Sequence, residues 1–411
     1  MKVTAIIAEY NPFHNGHKYH IEKIRQLTDA DFCLVIMSGN FTQRGEPAII
    51  DKYIRTNMAL ANGADLVLEL PVCFSCASSP YFAQGAISIL EQLGTVDYLA
   101  FGSECGQISI LENTASILTQ NPPAYAKALK DGLKTGLTFP AAQSQALAQY
   151  DQKFSHVLTS PNNLLGVEYC KCLLSRNSTI KPITILRTGR NYNDSILQGT
   201  FGSALAIRTA LEAQTSLESI RPCVPDNVLT IMKTFYLKRF PVFPDMLSQM
   251  LHYRLLIQSD SGFTSYLDIT EDLSHRICRQ IPSYENFHSF CMLLKTKEIT
   301  YTRISRSLLH ILLDIRKEDP VYDGQEKEAL YARILGFRQT AVPLLTAIRA
   351  NSQIPLISKL ADAHKYLKEP ALRRLTKDIQ AAHLYNALIY HAYGTKLPGE
   401  IQQQILRVSP Q

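Results

Sequence analysis

At 411 residues, 46% hydrophobic and 19% charged, the chain is long enough for two or three domains with sizeable cores. No window approaches the roughly 20 uninterrupted apolar residues of a membrane helix, which argues against a spanning protein and a membrane partner. The formal net charge of +6 is uneven: residues 1–215 hold 17 Lys+Arg and 17 Asp+Glu, and residues 216–411 hold 25 and 19. A neutral front half suits a small-molecule site, and a basic back half suits a polyanion.

The first run, Met1–Glu9, is too short for a signal peptide and leads straight into Asn11-Pro12-Phe13-His14, so a cytoplasmic protein is expected. The nine cysteines form no secreted framework. Cys73/Cys76 could be half a zinc site, but Cys170/Cys172 has the wrong spacing for the other half. Small buried thiols, and no metal centre, are therefore expected.

Val3–Ala8 reads as a buried strand. A Pro- and Gly-containing loop, 11–16, and a helix from His17 to about Leu27 follow. Phe32–Met37 is a second strand, Leu66–Leu70 a third, Tyr98–Phe101 a fourth and Ile183–Leu186 a fifth. The helices between them cover Asp51–Asn62, Gln84–Leu93 and, after the fifth strand, Ser203–Leu211. Strands that are apolar throughout, alternating with helices, predict a parallel sheet covered on both faces, with ligands beyond the carboxyl ends of its strands. Residues 106–180 interrupt the alternation with helical segments and read as an insertion. From Pro225 onward no clean alternation is visible. Ser305–Arg316 and Glu326–Leu335 have helical periodicity, so 216–411 is expected to be a mainly α-helical domain and 1–215 the catalytic one.

Four polar loops fall at strand ends. In the first, Gly16 and the start of a helix present backbone N–H groups to an anion, flanked by His14 and His17. Two imidazoles so placed can donate hydrogen bonds to phosphoryl oxygens, and phosphoryl and nucleotidyl transfer needs such positioning and charge stabilisation above all. The bland alternative is a pair of helix-capping histidines. In the last loop Ser203 can cap a helix and Arg208 can reach a triphosphate. After the second strand, Asn40, Gln43, Arg44 and Glu46 form a polar loop suited to a small substrate, or a merely solvated one. Asn162 suits an adenine edge or ribose, or a turn. Lys52 could touch a phosphate or simply start a helix. Arg316-Lys317, Lys365/Lys368 and Arg373-Arg374 could contact a nucleic-acid backbone or form solvated helix faces.

The His-x-Gly-His loop after the first strand and Ser-x-x-x-Ile-Arg after the last resemble the nucleotidyltransferases related to class I aminoacyl-tRNA synthetases. The strings Ala8–His17, Ser38–Ala48 and Phe101–Glu104 resemble, more narrowly, the bacterial tRNA(Met) cytidine acetate ligase family. The resemblance implies a Rossmann-like α/β domain. It also implies a two-step reaction. ATP and acetate give acetyl-adenylate and pyrophosphate, and the acetyl group then passes to N4 of the wobble cytidine of elongator tRNA(Met). By position it implies nucleotide contacts from Ile7, Ala8, Glu9, Tyr10, Asn11, Pro12, Phe13, His14, Asn15, Gly16, His17, Lys18, Tyr19 and His20, and from Gly102, Asn162, Arg187 and Thr188. With these, His14, His17 and Arg208 become the catalytic candidates, with Mg²⁺ shared by the phosphate oxygens. Ala204-Leu205-Ala206 departs from the family's expected Ala-Thr-Ala. The competing readings are a small-molecule adenylyltransferase or ligase on the same scaffold, and a non-catalytic, RNA-binding nucleotide sensor.

Overall fold

The computed structural model describes residues 1–187, 202–213, 216–323 and 328–409. Its centre is a sheet of eight strands: β1 (Val3–Ala8), β2 (Phe32–Ser38), β3 (Leu66–Leu70), β4 (Tyr98–Ser103), β5 (Lys181–Leu186), β6 (Ala332–Arg338), β7 (Leu356–Ile357) and β8 (Leu406–Val408). Their order is β5-β4-β1-β2-β3-β6-β7, with β8 also on β6. Strands β1 to β5 are parallel, and β6 runs antiparallel to β3. This is a Rossmann-like α/β fold with added helical parts. Among the described residues no helix is long and apolar enough to cross a membrane.

Both faces of the sheet are covered, which explains strands without polar alternation. On one face lie α1 (Asn15–Thr28) and α2 (Lys52–Ala61), whose Ile21, Ile24, Ile54 and Met58 pack on Val35 and Val67. After α2 come the short α3 (Val72–Ser75) and α4 (Ser79–Gln92). Between β4 and β5 run α5 (Ile108–Gln120), α6 (Pro123–Lys134), α7 (Phe139–Ala148), α8 (Gln152–Val157) and α9 (Pro161–Ser175). Helices α4 and α9 cover the other face of the sheet through Ile87, Leu90, Val167 and Leu173. After β5, α10 (Ala204–Glu212) returns to the α1 face with Ile207 and Leu211. A separate core joins the later helices, among them Ser248–Gln258, Tyr301–Leu313 and Ala371–Tyr393.

The C-terminal half is not helical throughout. The expected helix over Glu326–Leu335 is instead strand β6 from Ala332, flanked by β3 on one side and β7 and β8 on the other. Because Ala332–Leu335 is buried on both faces, it shows no two-residue alternation, and its apolar spacing mimics a helix. A buried ionic cluster locks this edge. Lys52 Nζ lies 2.7 Å from Glu69 and 2.5 Å from Glu400, and Arg333 pairs with the same two carboxylates at 2.7 and 2.6 Å. All four side chains are at most 5% exposed. Lys52 therefore starts α2 and staples β3, β6 and the C-terminal segment together, out of reach of a ligand.

Candidate functional site

From β1 the chain order moves one way to β2 and β3 and the other way to β4 and β5. The loops after β1 and β4 diverge, and a crevice opens beyond their carboxyl ends. A cleft of about 170 Å³, open to solvent, lies there. Of the residues expected at a site, Ile7, Ala8, Glu9, Tyr10, Asn11, His14, His17, His20, Gln43, Arg44, Gly102, Asn162, Arg187, Ser203 and Arg208 line it. Residues from loops up to 200 positions apart thus meet in one place.

The two histidines do cap the helix, and the capping is what prepares them for a ligand. His14 is the N-cap of α1, and its Nδ1 accepts the Gly16 N–H at 3.1 Å. The His14 N–H in turn donates to His17 Nδ1 at 3.2 Å. With both Nδ1 atoms accepting, a neutral ring must carry its proton on Nε2. The rings stack 3.7 Å apart. They pass the positive end of the helix dipole to two Nε2–H donors, the donor role expected of the two imidazoles. Burial, helped by Arg187 and then Arg208, pushes the His14 imidazole down to about 3. Burial and the neighbouring His14 hold His17 well below its usual range. Burial and Arg187 hold His20 near 4. All three rings are neutral donors at physiological pH. Among the described residues, His20 Nε2 is buried without a hydrogen-bond partner.

Gly16 has a stricter role than approach to a phosphate. A Cβ there would sit 2.9 Å from His14 Cε1 and 3.1 Å from Nδ1. Gly16 makes room for the capping ring itself.

The surrounding charge is cationic. Among the described residues, Arg44, Arg187 and Arg208 line the cleft against one carboxylate, Glu9. Arg208 Nη1 donates to Asn11 O at 2.8 Å, tying α10 to the first loop, and Ser203 Oγ accepts the Ala206 N–H at 3.0 Å as the cap of α10. A Cβ on Gly102 would approach Arg187 Cγ to 3.1 Å, so that glycine leaves space for the arginine stem. At the start of α9, Glu104 accepts from Asn162 Nδ2 at 2.6 Å and from Asn163 N at 2.8 Å. This grip leaves the Asn162 carbonyl oxygen for a ligand.

The loop after β2 divides. Gln43 and Arg44 line the cleft, whereas Asn40 and Glu46 do not. Asn40 Oδ1 accepts the Lys52 N–H at 2.9 Å, an architectural bond. Glu46 has its carboxyl raised by burial against the opposing pull of Arg208 and Arg44. Gln43 N–H donates to Glu9 Oε1 at 2.9 Å, and Gln43 Nε2 to Ser79 Oγ at 3.1 Å. Gly45 adopts φ +79° directly against the Ser305–Arg306 backbone, and Ser305 Oγ donates to Gly45 O at 2.9 Å. Helix Tyr301–Leu313 of the C-terminal half therefore seats this loop.

Pro12, Phe13, Asn15, Gly16, Lys18 and Tyr19 stand behind the cleft wall instead of lining it. Phe13 is core, Asn15 Nδ2 bonds Pro222 O at 2.9 Å, and Tyr19 is exposed. Thr188 lies outside the described residues. Sequence reasoning missed the apolar wall formed by Ile6, Phe82, Phe101, Leu165, Tyr169 and Leu205. Phe101 adjoins the Gly102 motif and could have been found. Phe82 and Tyr169 lie on α4 and α9 amid other apolar residues, with no local mark. Of the basic candidates farther on, Arg374 is buried, Lys317 Nζ donates to Ile269 O at 2.6 Å, and Arg316 pairs with Asp314 at 2.9 Å.

The comparisons with known proteins agree with this geometry. The family model of HIGH Nucleotidyl Transferase matches residues 1–397. The tRNA(Met) cytidine acetate ligase of Halothermothrix orenii is 39% identical over 404 residues, covering 94% of this chain and 95% of the relative. The protein of that name from Acetivibrio thermocellus is 37% identical and covers 99% and 100%. The crystal structure of apo Thermotoga maritima TmcAL matches with a TM-score of 0.93 at 32% identity, and that of TmcAL bound with alpha-thio ATP with 0.91, each covering 100% of both chains. On its full-length likeness and on its cleft, the chain belongs to the HIGH nucleotidyl transferases and, among them, to the tRNA(Met) cytidine acetate ligase family.

Proposed function

We propose that this protein is a tRNA-modifying ligase. It joins acetate to ATP as acetyl-adenylate with release of pyrophosphate. It then passes the acetyl group to N4 of the wobble cytidine of elongator tRNA(Met), leaving N4-acetylcytidine and AMP. The observation that carries the reading is the pair of tautomer-locked Nε2–H donors, His14 and His17, facing a cleft lined by three arginines. Neutral donors and fixed cations suit a triphosphate whose α-phosphorus an acetate oxygen must approach.

His14 and His17 hold the phosphate oxygens as charge moves from the α,β-bridge to pyrophosphate. Arg208, fixed through Asn11, neutralises that leaving group, and Arg187 beside Gly102 holds the adenylate side. The Asn162 carbonyl oxygen, oriented by Glu104, accepts from the adenine amine. Gln43 and Arg44 are the acetate side of the cleft. Mg²⁺ would ride on phosphate oxygens and water, lowering the charge that acetate must approach. The basic half of the chain, 216–411, would carry much of the tRNA contact, and the protein would work in the cytoplasm.

The test is purified protein with ATP, Mg²⁺, radiolabelled acetate and bulk bacterial tRNA, followed by nucleoside analysis. Label in N4-acetylcytidine, reduced about 100- to 1,000-fold in His17→Ala, is expected from the loss of one donor. Acetate-dependent pyrophosphate release without label in RNA would point to a small-molecule ligase. No turnover would leave a nucleotide-binding protein.

A further inference from the structure

Attack on the acetyl carbonyl by an exocyclic amine needs an acceptor for the amine's proton. The lining of the cleft narrows the choice. His14 and His17 spend Nδ1 on backbone N–H groups and face the ligand as donors. His20 sits beside Arg187, on the arginine side. Among the described residues, Glu9 is the one carboxylate of the lining, in a cleft otherwise built for an anion. A carboxylate beside a triphosphate is repelled unless it has a donor of its own to face.

Glu9 is also held in place. Buried Arg55 donates to the Glu9 carbonyl at 2.6 Å, and the Gln43 N–H donates to its Oε1 at 2.9 Å, leaving Oε2 for a ligand. Gln43 Nε2 bonds Ser79 at the start of α4, and Phe82, one helical turn on, lines the same cleft. A fixed carboxylate oxygen and an aromatic ring lining one cleft are the chemistry that recognises a flipped-out cytosine: the carboxylate accepts from the N4 amine, and the ring stacks.

We infer that Glu9, with Gln43 and Phe82, forms the acceptor-base subsite, and that Glu9 is the general base of acetyl transfer. This departs from the nucleotide role that the family resemblance implies for all of residues 7–20, and it rests on the tRNA acetylation reading above. The N4 lone pair forms the new C–N bond at the acetyl carbonyl carbon. The bond from that carbon to the phosphate oxygen breaks, and AMP leaves with the electron pair. The N4 proton passes to Glu9 Oε2 and then to solvent.

The experiment separates activation from transfer in Glu9→Gln and Glu9→Asp, both checked for unchanged melting. Hydroxylamine trapping of activated acetate, read as acetohydroxamate, reports the first step. Labelled acetyl in tRNA reports the second. Glu9→Gln should lower transfer by about 100- to 10,000-fold, the usual share of a general base, and trapping by less than about tenfold. Glu9→Asp should recover part of the transfer. Equal losses in both readouts, with a raised Mg²⁺ requirement, would make Glu9 a nucleotide or metal group and overturn the proposal. So would full transfer in Glu9→Gln. Wild-type protein that makes hydroxamate but never acetylates tRNA would overturn the parent reading, and the subsite with it.

Discussion

Gly45 couples the two halves of the molecule, and Gly45→Ala tests that coupling. A Cβ there would lie 2.3 Å from Arg306 N and 2.6 Å from Arg306 Cα and Ser305 C, all backbone atoms of a packed helix. Ordinary contact is about 3.5 Å, so loop and helix must part by about 1 Å. Overpacking of this kind costs about 1–3 kcal/mol. An alanine at φ +79° adds about 1–2 kcal/mol, and stretching the Ser305–Gly45 bond about 1 kcal/mol. The sum, about 3–6 kcal/mol, is relieved by the loop lifting, which carries Gln43 and Arg44 with it. A 1 Å misplacement of positioning groups costs about 100-fold in rate. Steady-state acetylation should therefore show kcat/KM for acetate down about 100-fold, with ATP affinity within about threefold, because His14 and His17 sit on a different loop. Wild-type kinetics with wild-type melting would refute the reasoning, as would equal losses for ATP and acetate.

Gly16→Ala should turn the His14 ring and weaken ATP binding about tenfold in calorimetry, while melting changes by less than the roughly 1 kcal/mol that helix propensity returns. Lys52→Met leaves Glu69 and Glu400 facing each other without one of their two cations, and chemical denaturation should show a loss of about 3–5 kcal/mol. Stability should also depend on pH through His14. Its folded value of about 3 lies below the ordinary 6.5, so the unfolded chain binds the proton first. The contribution is full above about pH 6.5 and is lost as pH falls towards 3. Melting should fall more steeply over that window in wild type than in His14→Gln, and parallel curves would contradict the burial argument.

The parallel half of the sheet was readable because β1 to β4 are short apolar runs closed by Gly, Pro or Asn, signals that act locally. The His14–His17 loop was readable for the same reason: its capping box lies within four residues. Strand β6 was not readable. Its burial comes from β3, about 265 positions earlier, and from β7 and β8, so nothing near Ala332 marks it as a strand. The loop after β2 was read as one polar unit, but Asn40 turns back to α2 while Gln43 and Arg44 face the cleft. That division depends on Gly45 meeting a helix 260 residues away. The aromatic wall, Phe82 and Tyr169, was hidden for a third reason: on an apolar helix, core and ligand-facing positions look alike until the helix is packed.

The most direct test of the account is where the oxygen of acetate goes. Acetate labelled with ¹⁸O in both positions, incubated with ATP, Mg²⁺, tRNA and the protein, should yield AMP carrying one ¹⁸O. Attack on the α-phosphorus joins that oxygen to the nucleotide, and acyl transfer leaves it there. His17→Ala should form this AMP at least about 100-fold more slowly. Label in inorganic phosphate with ADP as co-product, or unlabelled AMP beside acetylated tRNA, would contradict activation of acetate at the α-phosphorus in this cleft.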